Sequence, residues 1–86
     1  MNHQPTPLDM ATDLRRCIYA SFSRKGFDDP NVKTFFNHAL MIFRKLEGTL
    51  DKQTFTAINK QLTKAQNPNS NHQKRREDLL MATVLL

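Results

Sequence analysis

The sequence predicts an all-α fold, a small three- to four-helix bundle with a C-terminal apolar helix. Helix start and stop signals bracket three segments of the chain, which begin at Thr6, Asp29 and Asp51. Within each segment, apolar residues recur at the three- and four-residue spacing of an amphipathic helix. A chain of 86 residues is long enough for one domain with one small core, and too short for a deep active-site cleft beside that core.

The first predicted helix runs from about residue 7 to residue 25. Thr6 is placed to cap its N-terminus, Pro7 suits the first helical position, and Asp9 stands where a capping box places its acidic residue. Residues 1–5 are polar and are expected to be a flexible terminus. The three-helix core is therefore predicted to begin at Thr6.

The end of this helix is predicted from a glycine and an aromatic residue. Gly26 can adopt the left-handed conformation that closes a helix, and Phe27 would then fold back on Phe22. The bundle is expected to pack around four phenylalanines, which are Phe22, Phe36, Phe43 and Phe55.

The second predicted helix, residues 30–47, is the central element. Asp29 and Pro30 open it, and Gly48 follows its end. Its apolar residues cover roughly 160° of the helical wheel, an arc wide enough to contact two neighbouring helices rather than one.

The rest of the chain divides into a third helix, a polar linker and a fourth helix. Asp51 caps a helix over 52–66, which completes a core spanning 6–66. Residues 67–72 form the linker, and Ser70 is placed to cap a helix over 73–86.

The C-terminal segment is apolar on every side of the helical wheel, which an ordinary surface helix is not. Three interpretations remain open: the segment is a fourth helix that completes the core of its own chain, it packs against another chain as a dimer or partner interface, or it adds a strand to the sheet of another protein. The residues predicted to contact a protein partner are Arg16, Tyr19, Leu80, Met81 and Val84.

The net charge of +5 raises the alternative of a nucleic-acid ligand. Much of this charge is explained by basic residues at helix C-termini, where the helix dipole favours them. The second and third helices also have the outline of a helix-turn-helix, although an ordinary helical hairpin is the simpler interpretation. The candidate phosphate contacts are Lys52, Lys60, Lys64, Lys74, Arg75 and Arg76.

No motif in the sequence predicts catalysis, a cofactor or a metal site. Cys17 is expected to be a buried structural thiol, with a nucleophile whose pKa is lowered by Arg16 as the less favoured interpretation. His38 lies at the edge of an apolar arc and is expected to be half-buried and hydrogen-bonded rather than a ligand or a base. The acidic residues are explained by helix caps and first turns.

A single cysteine favours a reducing compartment, so a cytoplasmic protein is expected. No apolar run approaches the roughly 20 residues that span a bilayer, and no membrane association is predicted. Together these features predict a small regulatory or adaptor protein that is not an enzyme. It would bind another protein, most simply as a homodimer, and the alternative is a nucleic-acid-binding regulator.

Overall fold

The computed structural model describes residues 5–86, and this part of the chain is helical without any strand. The predicted all-α class is confirmed. Four α-helices follow one another along the chain, and a single 3₁₀ turn at Gly26–Asp28 separates the first two. Their bounds are Pro7–Ala20 for α1, Pro30–Lys45 for α2, Lys52–Ala65 for α3 and His72–Leu85 for α4.

The start of α1 is the capping box that the sequence predicts. The Asp9 amide donates to Thr6 Oγ1 at 3.2 Å, and the Thr6 amide donates to Asp9 Oδ2 at 2.9 Å. These two bonds satisfy amide groups that have no partner inside the helix. The predicted flexible terminus lies almost wholly outside the described residues.

The predicted end of α1 is wrong: the helix ends at Ala20, five residues before Lys25. The chain then passes through successive turns to Gly26, which has a φ of +57°. The left-handed conformation expected at Gly26 is therefore present, but it follows a loop rather than the helix itself. The physical reason is that residues 22–25 are all exposed, so no apolar packing holds a further turn of helix in place.

The packing expected of the two phenylalanines beside this loop is also wrong. Phe22 is 64% exposed, whereas Phe27 is buried. The Phe27 ring does not fold back on Phe22 but makes a T-shaped contact with the His72 ring, with 5.3 Å between centroids. Because α1 ends early, Phe22 faces solvent and Phe27 takes the place in the core beside α4.

The second helix begins as predicted and ends slightly early. The Asp29 side chain caps it by accepting from the Asn31 amide at 2.8 Å, and the helix stops at Lys45 rather than at residue 47. It packs antiparallel to α1, because Cys17 lies against Val32, whereas Asp13, one turn earlier in α1, lies against His38, later in α2.

The third helix has the predicted cap, in which Asp51 accepts from the Thr54 amide at 3.4 Å. Its buried residues are Ile58, Leu62 and Ala65, and it packs chiefly on α4. Of the predicted aromatic core, Phe43 is buried, and Phe36 and Phe55 are partly buried. The Phe43 and Phe55 rings are stacked, with centroids 4.2 Å apart and planes at 7°.

The fourth helix completes the core of its own chain. Leu79 and Ala82 are at most 1% exposed, and α4 packs on both α1 and α3. Its N-terminal cap is Asn71, which accepts from the Lys74 amide at 2.7 Å. The predicted cap at Ser70 is therefore wrong, and the helix starts at His72, one residue earlier than predicted.

The resulting bundle measures 37 × 30 × 16 Å between its Cα extremes. Its core is built from all four helices, and the fully buried side chains include Met10, Leu14, Leu46, Ile58, Leu62 and Leu79. Among the described residues, no helix combines the length and the apolar character needed to cross a bilayer.

Candidate functional site

Five of the seven exposed large apolar side chains of the described chain lie on a surface formed by α1, the residues just after it and α4, which we call the α1–α4 surface. Five large side chains contribute to it, and each is about half exposed or more: Tyr19 at 75%, Phe22 at 64%, Leu80 at 53%, Met81 at 48% and Val84 at 72%. Half-exposed apolar residues are common individually, but a contiguous group of them is characteristic of an interaction site.

Three shallow depressions join these residues into one surface, because Leu80 lines all of them. One of about 180 Å³ lies between Leu80 and Tyr19, with Ile18 at its base. A second of about 210 Å³ extends from Leu80 to Phe22. A third of about 360 Å³ runs along α4 past Met81 and Val84. The structure thus brings together four of the five residues predicted to contact a partner.

The spacing on each helix explains why these side chains align. On α1, residues 15, 18 and 19 follow the i, i+3, i+4 spacing of one helical face, and residues 77, 80, 81 and 84 follow the i, i+3, i+4, i+7 spacing on α4. Phe22 lies two residues beyond the end of α1, where it lines the same depression as Ile18 and Leu80. Since the two helices are neighbours, the faces border a common groove. Its rim is charged, with Arg15 on α1 and Glu77 on α4.

Arg16, the fifth predicted contact, lies on a different side of α1. Its guanidinium pairs with Asp13 at 3.5 Å and stands 5.6 Å from the centroid of the Phe35 ring. Arg16 therefore faces α2 and is separate from the α1–α4 surface.

The residues predicted to contact phosphates divide into two groups. Lys52, Lys60 and Lys64 are exposed on α3. The three consecutive basic residues of α4 instead contact their own chain: Lys74, Arg75 and Arg76 bind Asp78, the Ala65 carbonyl and Ser21 in turn.

Arg75 and Arg76 connect α4 to its neighbours through well-formed contacts. Arg75 donates to the Ala65 carbonyl at 2.7 Å and its guanidinium lies 4.1 Å from the Phe27 ring centroid. Burial lowers the pKa of Arg75 below its ordinary value, and nearby Asp28 partly opposes that shift. Arg76 donates to the hydroxyl of Ser21 at 2.8 Å and to its carbonyl at 3.0 Å.

The outline of a helix-turn-helix is not accompanied by close packing of its two helices. The third helix packs on α4, and the main packing partner of α2 is α1. The stacked Phe43 and Phe55 rings join α2 and α3. The predicted helical hairpin of α2 and α3 is wrong as well, because each of these helices packs chiefly on another helix of the bundle.

Cys17 is fully buried, as the sequence predicts. Its Sγ lies 3.6 Å from the Val32 carbonyl oxygen. Burial, with a further contribution from the negative charge of Asp13, raises the pKa of Cys17 to about 12. The lowered pKa of the less favoured interpretation is therefore wrong, because the thiol is sealed inside the core rather than placed in an open site beside Arg16.

His38 is hydrogen-bonded, as expected, but its side chain is 59% exposed rather than half-buried. Its Nδ1 contacts Asp13 Oδ2, and that carboxylate is only 4% exposed. Both residues line a cleft of about 390 Å³ between α1 and α2, together with Arg16 and Lys45.

Asp13 is a residue of this cleft that sequence reasoning missed, since it was explained as a first-turn acid. One signal was present: Asp13 lies three residues after Met10 and four before Cys17, on the buried face of α1. A buried carboxylate requires a partner. The partner, however, is 25 positions away, a separation that no local motif reveals.

Comparisons with known proteins leave the chain without an assigned family: no family model, no curated protein and no solved structure matches it. Within residues 5–86, no group of three histidine, cysteine or acidic side chains is placed to hold a metal ion.

Proposed function

We propose that this protein is a non-enzymatic regulatory or adaptor module that binds another protein through the α1–α4 surface, and that it forms a homodimer through that surface. The observation that carries the proposal is that α4 divides its apolar residues between two roles. Leu79 and Ala82 are buried in the core, while Leu80, Met81 and Val84 remain exposed beside Tyr19.

Hydrophobic burial supplies the driving force. Removing apolar area from water contributes roughly 25 cal/mol per Å², and the exposed side chains of this surface are large. The groove between two helical faces is the geometry that accepts a third helix from a partner. Because Leu80, Met81 and Val84 form an exposed apolar face on α4 itself, a second copy can supply that helix in a two-fold arrangement.

Charge at the rim supports a second copy as the occupant. Arg15 borders the groove on one side and Glu77 borders it on the other. A two-fold axis near Leu80 places residues of both signs on both partners, so that opposite charges can meet across the interface. The unpaired Cys17 supports action in a reducing compartment, which we take to be the cytoplasm.

The solution mass of the full chain, measured by light scattering at low and high salt, tests this proposal. The expected result is a dimer whose mass does not depend on salt. Leu80→Ser is expected to shift the mass to that of a monomer. Leu8→Ser is the matched control, since Leu8 is a 68% exposed leucine of α1 that lines none of the three depressions. A wild-type monomer at all concentrations contradicts the homodimer.

Point substitutions are needed because deleting residues 79–86 removes part of the core. Leu79 and Ala82 are buried in the bundle, so the truncated chain is expected to unfold whatever its partner. Circular dichroism of Leu80→Ser, compared with wild type, distinguishes loss of the interface from loss of the fold.

The alternative proposal is a nucleic-acid-binding regulator that uses the outer face of α3. It is supported by three exposed lysines, Lys52, Lys60 and Lys64, and by the net charge of +5. A monomer whose affinity for a DNA duplex falls steeply with salt would favour this alternative over the homodimer.

A further inference from the structure

We propose that His38 is a phosphoryl-acceptor site, modified at Nε2 by an acyl phosphate such as a phosphorylated carboxylate. This proposal is independent of the α1–α4 surface. It rests on the pairing of His38 with Asp13 in the cleft between α1 and α2.

The first step in the argument is the tautomer of the imidazole. Asp13 Oδ2 contacts Nδ1, and an ionised carboxylate only accepts hydrogen bonds. Nδ1 therefore carries the proton, and the lone pair of the neutral ring is on Nε2. A carboxylate placed this way fixes the tautomer and the orientation of the ring, so that the Nε2 lone pair points away from Asp13.

The second step is that this carboxylate is well suited to hold its position. Its side chain is only 4% exposed, and Arg16 Nη1 pairs with its other oxygen at 3.5 Å. Both oxygens of Asp13 thus have partners, and the side chain is fixed on the buried face of α1.

The third step is access. The His38 side chain is 59% exposed, and within the described chain Nε2 has no hydrogen-bond partner. The ring lines a cleft of about 390 Å³ that is open to a donor group. His72 offers a contrast, because its ring lies against Gly26 and the Phe27 ring and, among the described residues, has no carboxylate partner.

The fourth step is the charge around the acceptor. Arg16 and Lys45 line the same cleft, and their positive charges favour a dianionic phosphoryl group. Asp9 also lines it, but its carboxylate accepts from the Thr6 amide and hydroxyl in the capping box.

The transfer balances without an added acid or base. The Nε2 lone pair attacks phosphorus and forms the N–P bond, while the P–O bond to the acyl group breaks. The departing carboxylate takes the bonding electron pair, and the proton on Nδ1 stays in its hydrogen bond to Asp13. The phosphorylated ring is left as an imidazolium whose positive charge faces the ionised carboxylate of Asp13, so the charges of reactants and products are equal.

Incubation of the full chain with acetyl phosphate tests the proposal, with intact-mass spectrometry and ³¹P NMR as readouts. The expected result is addition of one acid-labile phosphoryl group at Nε2. The rate is expected to exceed that of N-acetylhistidine by about tenfold or more, because a carboxylate partner of a histidine typically contributes a factor of that size. His38→Gln is expected to abolish the addition, and His72→Gln is the matched control that retains it.

Asp13→Asn tests whether modification depends on the positioning of the imidazole by Asp13 or only on the solvent exposure of His38. An amide can pair with either ring tautomer, so modification is expected to slow by roughly tenfold and to be distributed over Nδ1 and Nε2, which ³¹P NMR distinguishes. The proposal is overturned if wild type reacts no faster than N-acetylhistidine, if His38→Gln is modified as fully as wild type, or if Asp13→Asn changes neither the rate nor the site of attachment.

Discussion

At the scale of single residues, the backbone conformation at Gly26 restricts which amino acids can occupy the position. Its φ of +57° lies in the left-handed region, which costs a residue with a Cβ about 1–2 kcal/mol. A Cβ added there would also lie 2.9 Å from His72 Nδ1, and closer still to Cε1. The left-handed conformation therefore favours glycine at this position, and the exposed His72 side chain would have to move aside for a Cβ.

Gly26→Ala is expected to lower the free energy of unfolding by about 2 kcal/mol or more, as the backbone strain and the displacement of His72 add. Urea denaturation measures the change. Gly48→Ala is the control, because a Cβ at Gly48 meets nothing within 4 Å and Gly26 is the positive-φ glycine. Equal stability of the two variants would contradict this account.

At the scale of elements, the helix starts could be predicted well from the sequence, because each depends on residues adjacent in the chain. The caps at Thr6, Asp29 and Asp51 are all present. Asn71 replaced Ser70 as the fourth cap because two neighbouring residues of the linker were both able to cap.

The helix ends and the candidate cleft depend on contacts between distant residues, which the sequence does not display. The early end of α1 is accompanied by Arg76, 55 positions away, binding Ser21. The pairing of Asp13 with His38 is similarly non-local. The α1–α4 surface was predicted in part, since the apolar excess of α4 is visible in the sequence, but Phe22 was assigned to the core.

The link between Arg76 and Ser21 is expected to be a main support of the α1–α4 packing. Arg76 donates to the carbonyl of Ser21, which is 1% exposed, and its guanidinium lies 4.0 Å from the Phe22 ring centroid. Arg76→Met keeps the apolar stem of the side chain but leaves the buried Ser21 groups without their donor. The expected loss is about 1.5–3 kcal/mol of unfolding free energy in urea denaturation.

Arg24→Met provides the comparison for this substitution, because Arg24 is exposed in the loop after α1 and none of the hydrogen bonds or ion pairs of the described chain involves it. It is expected to change stability by less than about 0.5 kcal/mol. If both substitutions cost the same small amount, the Arg76 contacts do not stabilise the bundle.

At the scale of the whole molecule, the four helices enclose a core whose stability is coupled to the ionisation of one thiol. Cys17 is 0% exposed, and burial raises its pKa to about 12, whereas an unfolded chain ionises cysteine near about 8.5. Below that pH the thiol is neutral in both states and contributes no pH dependence. Above it the unfolded chain gains free energy by losing the proton, so stability falls as the pH rises towards 12.

The unfolding free energy is therefore expected to decrease by about 1.5 kcal/mol between roughly pH 8.5 and pH 10 through this thiol alone. Urea denaturation of wild type and of Cys17→Ala at both pH values isolates the effect, because the two proteins share every other titratable group. The variant is expected to be less stable at every pH, but its unfolding free energy lacks the part of the pH dependence that the thiol causes.

In the folded protein, iodoacetamide is expected to label Cys17 only through global opening, so the labelling rate should rise with urea as the unfolded fraction does. Labelling at the rate of a free thiol in the absence of urea would mean that the core opens locally around Cys17 and that the four helices do not enclose it as one cooperative unit.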